Sequence, residues 1–236
     1  MPSVGKIYKA NAAKVDRNKK YNLEEALALL EGFQNRKFDE TVDVAIKLGV
    51  DPKQSDQMVR GATVLPHGIG KAIRVAVFAR GEAEKEARDA GADYVGNDDL
   101  LEKLEKGWMD FDRLITTPDA LKDLTKVAKI LGPKGLMPNK KTGTVTSEMG
   151  KAVKEQKLGK VEYKVEKEGI IHTMIGKKSF GSNKLKENFM VLFDNILKAK
   201  PTTSKGVYVR KVALSTTMGP SIIIDTQGLD AMARSL

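Results

Sequence analysis

Six residues near the carboxyl end, Ser215-Thr216-Thr217-Met218-Gly219-Pro220, carry small hydroxyls, one flexible apolar side chain, a Gly and a Pro, and no charge. They stand between two apolar-alternating runs, Val207 to Leu214 and Ser221 to Asp225, with Arg210 and Lys211 just upstream. Gly219 admits close approach of another backbone and can take positive φ, and Pro220 stiffens the exit. Hydroxyls beside a Met make a small surface of mixed polarity. Such a surface suits the 2′-hydroxyls, sugar faces and splayed bases through which RNA is read. The same composition also describes a hairpin loop whose Thr residues simply fill the turn's hydrogen bonds.

Other stretches hold candidate chemistry. In Arg36-Lys37-Phe38 an aromatic ring sits beside two cations. It can stack on a base or anchor the next strand in the core. Val64 to Lys71 resembles a phosphate loop, but Ala72 follows Gly70-Lys71 and no Gly stands at the required upstream position. Pro66, His67 and Gly68 read instead as a hinge, with Gly159 marking a second crossing. Gly132 to Gly143 is a long Gly/Pro loop with three Lys, placed either to touch a phosphate backbone or to solubilise the surface. His67 and His172 lie far apart in the chain and form no metal spacing. His172, in Ile171-His172-Thr173, fits a structural or interface role better than that of a base. The chain has no Cys, which excludes disulfides, thiolate nucleophiles and Cys-based metal sites. No nucleophile elbow or triad is marked, so no catalytic residue, metal or cofactor is expected.

The elements that must position these groups follow from periodicity. The chain has 236 residues, 41% of them hydrophobic, and a net charge of +10. That allows one large or two ordinary domains, and the charge favours a polyanionic partner. Residues 1–68 carry 11 basic and 9 acidic side chains, residues 69–160 carry 18 and 15, and residues 161–236 carry 12 and 7. The excess therefore sits mainly in the two end segments. The polar, Lys-rich stretch Met1 to Lys20 reads as a charged helix or arm and not as a secretory signal. No run approaches a membrane span, and a cytoplasmic location is expected. Asn22 opens a helix, with Glu25 as its capping partner and Leu23, Ala26, Leu27 and Leu30 as its apolar stripe. From Phe38 to Leu48 the period is two, a half-buried strand. Residues 51–61 read as a loop.

From Ile73 to Leu158 short apolar strands (Ile73–Phe78, Tyr94–Val95, Leu114–Thr116) alternate with helices (Glu82–Ala90, Asp98–Lys106, Pro118–Leu131, Ser147–Leu158). This argues a parallel sheet with helices on its faces. Beyond Gly159 the period returns to two. A hairpin is expected over Val161–Val165 and Ile170–Ile175. A helix capped by Ser182 follows, then the strands on either side of the Ser215–Pro220 loop, and finally eleven frayed residues. One strand and one helix cannot stand alone before residue 68. The economical solution joins residues 1–67 and 160–236 into one α+β domain, with an α/β domain of residues 68–159 inserted through two Gly/Pro crossings. Lys37 and Phe38 then share a domain with Thr216–Gly219.

Several strings together resemble one family. They are Lys37-Phe38-Asp39-Glu40-Thr41-Val42-Asp43-Val44, Ser55-Asp56-Gln57, GATVLPHG over residues 61–68, Gly91-Ala92-Asp93, ILGPKGLMPN over residues 130–139, Gly143-Thr144-Val145, Gly169-Ile170-Ile171-His172, Ile175-Gly176-Lys177, and STTMGP over residues 215–220. Collinearly and over nearly the whole chain, they resemble the ribosomal protein L-one family of the large-subunit stalk, in its bacterial form. The resemblance implies a discontinuous α+β domain with an inserted Rossmann-like, three-layer α/β domain. It implies a non-enzymatic protein of the large ribosomal subunit that binds ribosomal RNA of the mobile stalk. It further implies help in moving deacylated tRNA out of the exit site, and repression of translation through the protein's own operon messenger RNA. A monomer off the ribosome, with no membrane partner, fits the same picture. Carried over by position, the RNA contacts fall on Lys37, Phe38, Thr41, Thr216, Thr217, Met218 and Gly219. Lys164, Lys167 and His172 join them on the hairpin. There Lys164-Val165-Glu166-Lys167 replaces the family's frequent Arg-Asn-Asp-Lys and loses the planar guanidinium fork. Lys140 also departs from a frequent Pro. A nucleotide-binding α/β enzyme and a stand-alone RNA-binding regulator are the rival readings.

Overall fold

The computed structural model describes residues 5–233. The first four residues of the expected arm and the last three of the expected frayed tail lie outside that range. The chain passes through helices α1 (Lys6–Ala12) and α2 (Leu23–Glu31) to strands β1 (Thr41–Leu48) and β2 (Arg60–Val64). It continues as β3 (Val75–Phe78), α3 (Glu82–Asp89), β4 (Tyr94–Gly96), α4 (Asp98–Glu105), β5 (Arg113–Thr116), α5 (Leu121–Leu124), α6 (Ala128–Leu131) and α7 (Met149–Lys157). It closes with β6 (Lys160–Lys164), β7 (Ile170–Lys177), α8 (Gly181–Lys198), β8 (Val209–Thr216), β9 (Ile222–Ile224) and α9 (Thr226–Ala233). Two compact units result, one of residues up to Gly70 with Val161 onward, the other of Lys71–Lys160.

In the first unit a four-stranded antiparallel sheet has the order β7-β1-β8-β9. The period of two decides its faces: Val42, Val44, Ile46 and Leu48 are buried, whereas Thr41, Asp43, Ala45 and Lys47 are not. The buried face is covered by α2, through Leu23, Ala26, Leu27 and Leu30, and by α8, through Leu185, Phe189, Leu192, Phe193 and Ile196. Burying each such aliphatic or aromatic side chain contributes about 1.5–3 kcal/mol. Strands β2 and β6 form a separate two-stranded sheet.

Several expectations are corrected here. The loop expected over residues 51–61 ends before Arg60, where the strand Arg60–Val64 begins. Its burial alternates too weakly to be read, because only Thr63 is buried. The expected hairpin closes through the Glu166 N–H to Ile170 O bond and one antiparallel bridge, Val165 to Ile171; β6 then pairs with β2 and β7 with β1. Asn22 stands at the α2 N-cap but its side chain makes no capping bond, and Glu25 pairs with Lys19 at 3.3 Å. Ser182 lies inside α8 and its hydroxyl donates to Glu31. The expected eleven frayed residues include α9, which buries Leu229. Strand β8 begins at Val209 and runs through Ser215 and Thr216, so the turn proper is Thr217 to Pro220.

The second unit holds a three-stranded parallel sheet of order β4-β3-β5. Ala76, Phe78 and Leu114 pack with Leu100, Leu101 and Leu104 of α4, Leu124 of α5 and Leu131 of α6. Helices α3 and α7 pack on each other, and α7 on β3 and β5. The helix expected over 118–131 is broken by a 3-10 turn at Thr125–Val127. There the Thr125 hydroxyl bonds back to Lys122 O at 2.6 Å, which favours the tighter turn. At the entry to β5, Asp112 accepts from Lys71 Nζ at 2.8 Å and from the Arg74 N–H at 3.1 Å. These partners hold its carboxyl at about 2, the Lys71 bond contributing most.

Candidate nucleic-acid interface

The unburied face of the four-stranded sheet mixes small, charged and apolar side chains. Asp43 stands between Met174 and Ser215, and Ala45 between His172 and Ala213. At one end of this face the start of β1 meets the turn after β8. Thr217 N–H donates to Thr41 O at 3.0 Å, and Thr41 N–H donates to Thr217 Oγ1 at 3.0 Å. Residues 176 positions apart are thereby locked together.

Inside the turn every amide is committed. Met218 N–H donates to Glu40 Oε1 at 2.9 Å and Gly219 N–H to Thr216 O at 3.1 Å. The Thr216 hydroxyl points to Glu40 Oε1 at 3.4 Å, and that of Thr217 to Thr41 O at 3.4 Å. Both Thr hydroxyls thus fill hydrogen bonds of the turn, one of the two uses the composition allowed, while Thr217 itself stays exposed. What the turn exposes is Thr217 and the Met218 side chain, the latter 50% exposed. Gly219 is not in the positive-φ region. Its hydrogen is demanded by space, since a Cβ would stand 2.3 Å from Thr216 Oγ1.

Phe38 is 54% exposed, so it does not anchor the core, and Lys37 beside it is exposed too. Both rim a cleft of about 500 Å³ lined also by Arg36, Asp39, Lys178 and Ser179. A bulge between Val42 and Asp43 shifts the register of β7, placing Gly176 opposite Val42 and Lys177 opposite Thr41. Gly176 is needed there because a Cβ would meet the Phe180 ring at 2.8 Å. Lys177 Nζ then donates to Thr41 Oγ1 at 2.9 Å and Asp39 O at 3.3 Å. Lys178 Nζ turns inward to Asn35 Oδ1 at 2.7 Å and to Phe33 O, just past the end of α2. Burial depresses its pKa, and the charge of Glu40 partly restores it. Burial raises the Asp43 carboxyl, against the pull of Lys177 and His172.

The structure thus brings together Lys37, Phe38, Thr41, Thr216, Thr217, Met218 and Gly219. His172 lies further along the same face, opposite Ala45. Lys164 and Lys167 are exposed but lie at the other end of β7, beyond Ile170, which pairs with Lys47. That is roughly 20 Å from Thr41 at strand rise. Sequence reasoning did not single out Glu40, Asp43, Lys177 or Lys178. The period-two pattern that exposes Thr41 also exposes Asp43 and carried that signal; the bulge that delivers Lys177 left none. At the expected crossings, Gly68 and Gly159 both have positive φ. The buried Asn188 amide accepts from His67 N–H and donates to Gly68 O and Ile175 O.

A nucleotide would be sought at the carboxyl ends of β3 and β5, where parallel sheets bind ligands. The crevice there is lined by Arg80, Glu82, Glu86, Asp119 and Ser147. Its cation is already held by Asp98 at 3.4 Å and Asp123 at 3.3 Å. Three carboxylates facing that space repel phosphate. Among the described residues no group of three or more His, Asp or Glu side chains could hold a metal ion, and no helix is long and apolar enough to cross a membrane.

Comparison with known proteins agrees with the resemblance carried by the sequence motifs. A model of the ribosomal protein L1p/L10e family matches residues 30–220. The large ribosomal subunit protein uL1 of Bdellovibrio bacteriovorus is 57% identical over 221 residues, 94% of each chain. That of Solidesulfovibrio magneticus is 54% identical over 229 residues, 97% of each chain.

Proposed function

We propose the following for a chain that belongs to the ribosomal protein L1p/L10e family: it is a non-enzymatic constituent of the large ribosomal subunit and holds structured ribosomal RNA. The discontinuous unit is the RNA-binding domain, and the Lys71–Lys160 unit is an inserted lobe hinged at Pro66–Gly68 and Gly159. The observation that carries the reading is the joining of Thr41 to Thr217, which gathers the residues the family resemblance assigns to RNA. Cations draw the polyanion in without reading its sequence. The turn's carbonyls accept from 2′-hydroxyls or base amino groups, and Met218 and Phe38 pack against sugar or base faces. Two finer roles rest on the resemblance alone: assisting the departure of deacylated tRNA from the exit site, and repressing translation by binding the operon's own messenger RNA.

Two measurements test this. In-cell crosslinking followed by sequencing should recover a compact site in large-subunit RNA, and a second in the chain's own messenger for the repressor role. Recovery in proportion to RNA abundance would sink the reading. In a binding titration Met218→Asp should weaken the specific complex at least ten-fold or so, a cost of about 1.4 kcal/mol or more, while Lys20→Ala changes little. Equal small losses would remove the turn from the interface.

A further inference from the structure

We infer that Glu40 is the positioning residue of this interface, its buried carboxylate holding the Met218 amide inward and so fixing the turn with the Met218 side chain exposed. The inference rests on the RNA-binding reading of the turn.

Glu40 immediately precedes β1 and is only 2% exposed. A carboxylate at such a place costs free energy unless donors meet it. An apolar residue would fill the volume without that cost, so the core does not call for a carboxylate. The contacts explain it. Oε1 takes the Met218 N–H at 2.9 Å and the Thr216 hydroxyl at 3.4 Å. Its backbone oxygen takes the Lys178 N–H at 2.8 Å. One residue thereby ties together the entry to β1, the exit from β8 and the exit from β7. Gly219 completes the arrangement, because the Thr216 hydroxyl held toward Glu40 occupies the space of a Cβ.

The consequence is selectivity by withheld donors. An amide turned outward would meet phosphate oxygens, which every nucleic acid carries. Turned inward to Glu40, it is withheld from phosphate, so the turn engages RNA through acceptors and the exposed Met218 and not through backbone donors. An accepting oxygen at this position is what the turn requires, and the charge is not. Gln supplies that oxygen; Leu fills the space without it.

The test uses the full chain with purified large-subunit ribosomal RNA, and a random-sequence duplex RNA as reference. Glu40→Leu should weaken binding to the ribosomal RNA by about ten-fold or more, the effect of a buried donor left unpaired, with little change toward the duplex. Glu40→Gln should restore binding to within about three-fold of the original chain. Amide exchange supplies a readout independent of RNA: the Met218 amide should be protected in the original chain and in Glu40→Gln. Leu binding as tightly as Glu, or Gln as weakly as Leu, overturns the inference. So does fast Met218 exchange in the original chain, a result that stands even if Glu40→Leu fails to fold. If the original chain protects Met218 yet shows no preference for ribosomal RNA, the interface reading itself fails and takes this inference with it.

Discussion

At the scale of single residues, the site is built from groups whose neighbours leave them one role. Gly219 has no room for a side chain, because a Cβ would stand 2.3 Å from Thr216 Oγ1. Gly219→Ala must push the Thr216 hydroxyl from Glu40 or move the turn, an overpacking cost of about 1–3 kcal/mol. Urea unfolding should show that loss, together with weakened RNA binding; full stability and affinity would mean that the turn shifts freely. Asp43 gives a pH test. Burial raises its folded pKa above the ordinary 3.8, with Lys177 and His172 opposing. The folded state then holds the proton more tightly than the unfolded chain. The contribution is full below the ordinary value and is lost as pH rises through the folded one. As pH rises from below 3.8 through the raised folded value, the original chain should lose stability relative to Asp43→Asn. Parallel profiles would contradict the burial argument.

At the scale of elements, the strands and helices with clear periods were legible in the sequence, and the connections between them were not. The β1 alternation gave its buried and open faces, and the Leu stripe of α2 gave its packing side. Strand β2 was illegible because it buries little. The parting of β6 from β7 was illegible because backbone pairing with β2, not side-chain pattern, decides it. The turn was recognised by composition, yet the inward use of its Thr hydroxyls depends on Glu40 and Thr41, which only the folded register supplies. Asn188 is another case. It sits on the buried side of α8 and holds the backbone of His67, Gly68 and Ile175. Asn188→Ala strands those groups, and a buried unpaired group costs about 1–3 kcal/mol. Unfolding followed by tryptophan-independent probes such as circular dichroism should show that loss. Hydrogen exchange at the His67 amide should rise with it, whereas an unchanged rate would mean the amide is held by something else.

At the scale of the whole molecule, the two end segments carry most of the net charge of +10, yet the turn itself is not a field of loose cations. Lys178 is committed to Asn35 and the Phe33 carbonyl, and Lys177 to Thr41 and Asp39. Lys37 is exposed beside Phe38, while Lys164 and Lys167 stand at the far end of β7. On the proposed reading, overall charge speeds encounter, and specific affinity comes from acceptors and apolar contact. Salt dependence separates the two contributions. Engaging about three phosphates gives a slope of about −2 to −3 in log K against log salt concentration. Lys37→Ala should flatten that slope by about one unit, whereas Met218→Asp should lower affinity at every salt concentration and leave the slope nearly unchanged. A slope steeper than about −6 in the original chain would mean that phosphate neutralisation supplies most of the affinity. Specific recognition would then have to be sought in the Lys-rich surfaces, away from the turn between β8 and β9.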